Sequence, residues 1–156
     1  MRQICHRGNF EGRNPEKENS PDYIFAAIKT GRDVEIDARL IGNRMWLGHD
    51  EPRYELNYEQ FMFFLVHREV WWHAKDYATL SNLINRGPWI KVFAHEVDAY
   101  GLVNGGYIWT ADTTIQLEEF NHTIFVVLPD ISGCMEIANK CELYGLCSDN
   151  FMGLKV

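Results

Sequence analysis

Apolar residues cluster in seven short runs along the chain: Gln3–His6, Asp33–Arg39, Val70–Ala74, Ile90–His95, Gly106–Thr110, Thr123–Pro129 and Tyr144–Ser148. Most are rich in Val, Ile, Trp, Tyr and Phe, as strands are. Helix punctuation fills several of the intervals. Ser20 suits an N-cap, Pro21 the first helical position, Asp22 the positive end and Gly31 a left-handed stop. Asn57 opens a second helix, with Gln60 completing a capping box. Asp76 opens a third that carries Leu80, Leu83 and Ile84 on one face and ends before Gly87-Pro88. Ser132 opens a late one, with Met135, Ile137 and Ala138 inward.

Strands alternating with helices imply parallel strands joined by right-handed crossovers. Seven such strands fit either an open doubly wound sheet or a closed barrel. Arg39–His49 reads as an additional hairpin that turns at Gly42-Asn43. No linker, repeat or low-complexity stretch divides the 156 residues, so a single domain is expected over residues 1–156.

Composition narrows the class. Apolar residues at 46% and charged residues at 24% describe a globular chain with its own core. A net charge of −7 argues against nucleic-acid partners and against an anionic membrane surface, while leaving room for a local phosphate pocket. No apolar run approaches the roughly 18 residues that span a bilayer, and no apolar signal region follows the N-terminal residues. Cys5, Cys134, Cys141 and Cys147 show no C-x-x-C spacing. Cys5 and Cys147 lie in apolar runs as small buried hydrophobes. A reducing, cytoplasmic location is the expectation.

Candidate chemistry gathers where the runs end, the edge on which parallel α/β folds build sites. His6-Arg7-Gly8, Glu35 with Asp37, His73 with Lys75, and His95-Glu96 follow the first four runs; Asp112, Asp130 and Asp149 follow the last three. Glu35 and Asp37 are two apart on a strand and so share a face. They form either a cation site for Mg²⁺ or Ca²⁺ or a solvated edge. His6 and His49 suit proton transfer across a site mouth, or are structural histidines. Arg7 is a bidentate phosphate clamp or a surface arginine. His67 and His122 read as structural.

H-R-G (His6–Gly8), E-N-S-P (Glu18–Pro21), V-E-I-D (Val34–Asp37) and G-H-D (Gly48–Asp50) occur in order, and L-C-S-D (Leu146–Asp149) closes the chain. This set resembles the glycerophosphodiester phosphodiesterase family, within the phosphatidylinositol-specific phospholipase C-like phosphodiesterases. G-Y-I-W (Gly106–Trp109) and H-A-K (His73–Lys75) point to a short bacterial or phage branch. The resemblance implies a TIM-like (β/α) barrel. In this short chain it would be compressed or incomplete, with about seven parallel strands and a small β-hairpin after strand 2.

It also implies roles. His6 and His49 become the acid–base pair. Arg7 and Lys75 face the substrate phosphate; His95, which the resemblance does not assign, is expected beside them as a pocket-lining phosphate ligand or only satisfies a strand end. Glu35, Asp37 and His73 hold a divalent ion. His73 stands where the family has a glutamate in E-x-K. Mg²⁺ or Ca²⁺ is the expected ion; an imidazole ligand also admits Mn²⁺ or Zn²⁺. The implied activity is metal-dependent cleavage of a small glycerophosphodiester-like substrate, with a cyclic phosphate as one outcome. Two other readings compete: a phosphate-binding pseudoenzyme, and a zinc hydrolase using His6, His49, His73 and His95.

Overall fold

A computed structural model of the chain describes residues 1–95, 100–111, 123–126 and 143–152. Its elements in chain order are β1 (Arg2–His6), α1 (Pro21–Lys29), β2 (Asp33–Ile41), β3 (Arg44–Leu47), β4 (Tyr54–Glu55), α2 (Tyr58–Val66), β5 (Val70–Ala74), α3 (Tyr77–Ile84), β6 (Lys91–Phe93), β7 (Tyr100–Val103), β8 (Tyr107–Thr110), β9 (Thr123–Val126) and β10 (Gly145–Ser148). The expected helix from Ser132 lies outside the described residues, as do His122, Cys134, Cys141, Glu96, Asp112 and Asp130.

Local signals set the helix ends. Asn57 and Gln60 bond reciprocally as a capping box on α2. The Asp76 carboxylate accepts from the Thr79 N–H at the start of α3. Ser20 stands at the N-cap of α1 without a side-chain cap bond, and Gly31 turns the chain after it with φ of 82°. In α3 Thr79 and Leu83 are buried and Leu80 packs half-buried against the core, whereas Ile84 is exposed. Thr79 goes inward because its hydroxyl accepts the Leu40 N–H from β2 at 2.6 Å. No helix among the described residues is long and apolar enough to cross a membrane.

All seven apolar runs form strands, and they pair in parallel in the order β6-β5-β2-β1-β10-β9-β8. The expected TIM-like barrel does not form. The sheet is open and mixed, with two antiparallel additions. β2 runs on past Arg39 and folds back on β3, which pairs with β4. β7 pairs antiparallel with β8 across the Asn104-Gly105-Gly106 turn. So short a connection cannot make a parallel crossover, and only an antiparallel hairpin results. Three helices among the described residues are too few to sheathe eight β/α units. Between β6 and β7 there is no strand ladder among the described residues; the Asn104 N–H reaches the Val92 carbonyl at 2.8 Å.

The alternation of each strand sorts the core into two layers. One face of the sheet packs Cys5, Val34, Ile36, Val70, Trp72, Val92 and Leu146 against the helices. The other face carries a smaller cluster of Ile4, Trp71, Phe93, Val103, Trp109 and Cys147. Phe93 and Trp109 stack at 4.4 Å, so the sheet curls until its β6 side meets its β8 side. Asp33, Glu35 and Asp37 belong to this second face of β2, with Trp71 opposite Glu35 and Phe93 opposite His73 on the neighbouring strands. Cys5 and Cys147 are free and buried, as expected, and burial pushes the Cys5 thiol up to about 12.

Candidate functional site

Register brings the polar strand ends together. His6 of β1 lies opposite Glu35 of β2, and Asp37 lies opposite His73 of β5. Glu35, Asp37 and His73 each present one ligand atom, and these atoms all lie within 4.8 Å of one another. It is the one such group of three or more among the described residues. The His73 Nδ1 is 3.0 Å from Asp37 Oδ1 and 3.6 Å from Glu35 Oε1. All three residues are buried.

The electrostatics of this group are tightly coupled. Burial works to lower the His73 imidazolium, but bonds to Asp37 and Glu35 outweigh it and raise His73 to about 9. Burial likewise opposes ionisation of Asp37. The His73 bond and charge, with Arg7 and Asn19, nonetheless hold that carboxyl well below the usual carboxylate range. Asn19, in the left-handed region with φ of 62°, clamps Asp37 twice. Its Nδ2 donates to Asp37 Oδ2 and its Oδ1 accepts the Asp37 N–H, both at 2.9 Å.

Polar satisfaction is incomplete here. Arg7 Nε and Asp37 Oδ1 meet their neighbours as ion pairs, at 3.1 Å to Asp37 Oδ2 and 3.0 Å from His73 Nδ1, while the buried His73 Nε2 has no hydrogen-bond partner. A buried polar atom left without a partner is costly, and this one lies on the imidazole of the cluster. A donor set of two carboxylate oxygens and one imidazole nitrogen fits a divalent ion.

The other predicted residues divide. The Lys75 ammonium is 3.8 Å from Asp37 Oδ1, and the His95 ring stacks on His73 at 4.9 Å. Burial, then the charges of His73 and Lys75, lower the His95 imidazole. Arg7 reaches the cluster but spends its guanidinium on carboxylates, with NH1 at 3.0 Å from Glu18 and Nε at 3.1 Å from Asp37. Its backbone N–H, at φ of 53°, donates to Glu35 Oε2. His49 stays outside the cluster: its Nδ1 bonds to Asp50 at 2.7 Å. It stands on the wall shared by a cavity of about 690 Å³, lined also by Arg39, His73, Lys75 and His95, and one of about 310 Å³ lined by Arg7, Arg13 and Arg53. The four histidines of the zinc reading do not converge. His67 is structural, bonded through Nδ1 to the Phe63 carbonyl at 2.7 Å.

Two contributors carry no role in the motif reading. The Asp149 carboxylate sits 2.8 Å from His6 Nδ1, while His6 Nε2 faces Glu35 at 4.0 Å. Burial opposes ionisation of Asp149, but His6 and Asn9 hold it below the ordinary value. Glu18 binds Arg7, Asn9 and Arg13 together. The closing L-C-S-D pattern was the available signal for Asp149. When the chain is compared with protein-family models, with curated proteins and with solved structures, nothing matches it in any of the three.

Proposed function

We propose that this chain is a metal-dependent phosphodiesterase acting on a small phosphodiester. The observation that carries the reading is the convergence of Glu35, Asp37 and His73, with the buried His73 Nε2 unpartnered, beside the carboxylate-paired imidazole of His6. A divalent ion on these three residues would stabilise charge on a phosphoryl oxygen and lower the pKa of the attacking hydroxyl. Asp149 fixes the orientation of His6 through Nδ1, which leaves Nε2 to move a proton. His49, on the cavity wall, serves as the second proton carrier. One imidazole takes the proton of the nucleophile as its O–P bond forms; the other protonates the alkoxide as its P–O bond breaks. Lys75 offsets charge on the phosphoryl oxygens.

The test is hydrolysis of bis(4-nitrophenyl) phosphate and glycerophosphodiesters with Mg²⁺, Ca²⁺, Mn²⁺ and Zn²⁺ in turn, each against a chelator. Metal-dependent turnover abolished by His6→Ala supports the reading; no turnover with any ion sinks it. A second reading, a phosphate-ligand-binding protein without turnover, draws support from one observation. The His73 imidazolium and the Arg7 guanidinium already balance the two carboxylates, and His49 pairs with Asp50 rather than with the cluster. Phosphate binding with no hydrolysis would decide for it.

A further inference from the structure

Position 39 continues the face of β2 that carries Glu35 and Asp37. Its guanidinium turns away from the metal cluster toward the loop that bears His49. Arg39 NH2 donates to the His49 carbonyl at 2.8 Å and to the Asp50 carbonyl at 2.9 Å. NH1 donates to the Gly48 carbonyl at 3.3 Å. Three consecutive carbonyls are thus gathered by one side chain, and among the described residues no other side chain donates to them. The loop is also tied at its entry, where the Gly48 N–H donates to the Asp37 carbonyl at 3.0 Å. Gly48 has φ of 147°, and a Cβ there would run into the Glu51 carbonyl oxygen. Arg39 and His49 line the same cavity as His73 and Lys75.

Every other hold on His49 itself is local, although the chain just before it is joined to β2 through Leu47 and Gly48. Its ring bonds to its sequence neighbour Asp50, which is exposed. Nothing in that pair relates the imidazole to the metal strand. Arg39 does, because it stands two residues from Asp37 and grips the main chain at His49 itself. The planar fork of arginine can serve three oxygens at once, which a single ammonium cannot do in the same geometry.

We propose that Arg39 is a positioning residue that sets the His49 loop in register with the Glu35-Asp37-His73 cluster. The inference rests on the acid–base role given to His49 above. Without Arg39 the loop keeps its anchor at Gly48, but the carbonyls that follow lose their common donor. The imidazole then samples positions away from the cavity. Misplacing a catalytic group by about 1 Å costs on the order of 10²-fold in rate. The loss falls on kcat, since Arg39 is committed to main-chain oxygens and not to substrate.

The experiment compares Arg39→Met, Arg39→Lys and Arg39→Ala in the full chain. Steady-state kinetics on the diester are read beside a metal titration and the imidazole NMR signals of His49, assigned with His49→Gln. Arg39→Met is expected to lower kcat about 10²-fold with KM within about threefold. It should shift the His49 signals and leave those of His6 and the metal affinity as in wild type. Arg39→Lys should recover part of the rate, and added guanidinium should restore Arg39→Ala. Wild-type kcat and unmoved His49 signals in Arg39→Met would overturn the proposal. So would a loss that follows thermal stability and that neither lysine nor guanidinium repairs. If Arg39→Met does not fold, Arg39→Lys decides by the same signals. If wild type hydrolyses nothing, the phosphodiesterase reading fails by itself. Positioning is then read from the His49 signals and from tryptic cleavage at Arg53-Tyr54, which Arg39→Met should accelerate; unchanged signals and unchanged cleavage would refute it.

Discussion

His73 Nδ1 and Asp37 Oδ1 lie 3.0 Å apart on adjacent parallel strands, at positions directly opposite in register. An imidazolium here supplies one of the two positive charges that offset the buried carboxylates of Glu35 and Asp37, and Arg7 supplies the other. His73 is therefore both a candidate metal ligand and the cation that the metal must displace.

That double role gives stability a pH dependence in metal-free protein. The folded His73 value of about 9 lies above the ordinary 6.5. The protonated ring thus stabilises the fold fully below about 6.5 and loses its contribution as pH rises through about 9. The displacement is worth on the order of 3 kcal/mol. Asp37 has the opposite sign. Its depressed carboxyl contributes above the ordinary carboxylate value and is lost as pH falls through the lower folded one. Urea unfolding in chelator should show declining stability between about pH 6.5 and 9, and His73→Gln should flatten that limb.

Metal affinity should move the other way with pH. His73 must release its proton to ligate, so apparent affinity is expected to rise by up to about tenfold per pH unit until about 9. Calorimetry in buffers of different ionisation enthalpy should report about one proton released per ion. Asp37→Asn and Glu35→Gln each remove a charged ligand and should weaken binding by more than about 10²-fold. Asn19→Ala, which frees Asp37 from its clamp, belongs in the 10- to 100-fold range of an outer partner, roughly. A titration in which all three variants bind as wild type would show that no ion is held here.

Asp149→Asn tests the orientation of His6. The pair is held at 2.8 Å, with Asn9 donating to the same oxygen at 2.8 Å. An amide can still contact Nδ1 but no longer stabilises the protonated ring. Turnover is expected to fall by about 10²-fold or more, the usual reach of acid–base catalysis. Metal affinity should stay unchanged, because the ligand triad is untouched. Equal losses of both would make Asp149 a residue of the fold alone.

What the sequence made legible was local. Asn57 with Gln60, Asp76, and Gly31 act within a few residues, so the three helix boundaries could be read directly. Alternation placed Glu35 and Asp37 on one face without any tertiary knowledge. The barrel failed because closure depends on partners. Tyr100-Gly101-Leu102-Val103 is short and interrupted by glycine, and it becomes a strand by pairing with β8. Asp149 meets His6 across 143 residues of chain, through the alignment of Cys5 with Ser148 in the β1–β10 pair. Periodicity carries no trace of such a contact. The H-R-G motif leaves Arg7 as a phosphate clamp or a surface arginine, and the folded chain gives it Glu18 and Asp37 as partners.

The opposite end of the same sheet face offers a stability test independent of the site. Asp33 is buried and accepts from Trp71 Nε1 at 2.9 Å, with Arg2 at 3.3 Å and Lys91 at 3.5 Å. Burial pushes its carboxyl up despite these partners, and burial pushes the Lys91 ammonium down despite Asp33. The Lys91 Nζ also stands 4.0 Å over the Trp71 ring, so the lysine is held by one anion and one aromatic face. Asp33→Ala strands that ammonium in the interior and leaves the indole N–H without its acceptor. The expected cost is about 3–5 kcal/mol in urea unfolding. Lys91→Met alone strands the carboxylate less severely, because Arg2 and Trp71 still serve it. Asp33→Asn with Lys91→Met keeps an acceptor for the indole and removes both charges, so the pair should recover most of the loss. None of Arg2, Asp33, Trp71 and Lys91 supplies an atom to the Glu35-Asp37-His73 group. Metal affinity of the double variant should therefore match wild type, and a drop in affinity would mean that the two ends of the face are energetically linked.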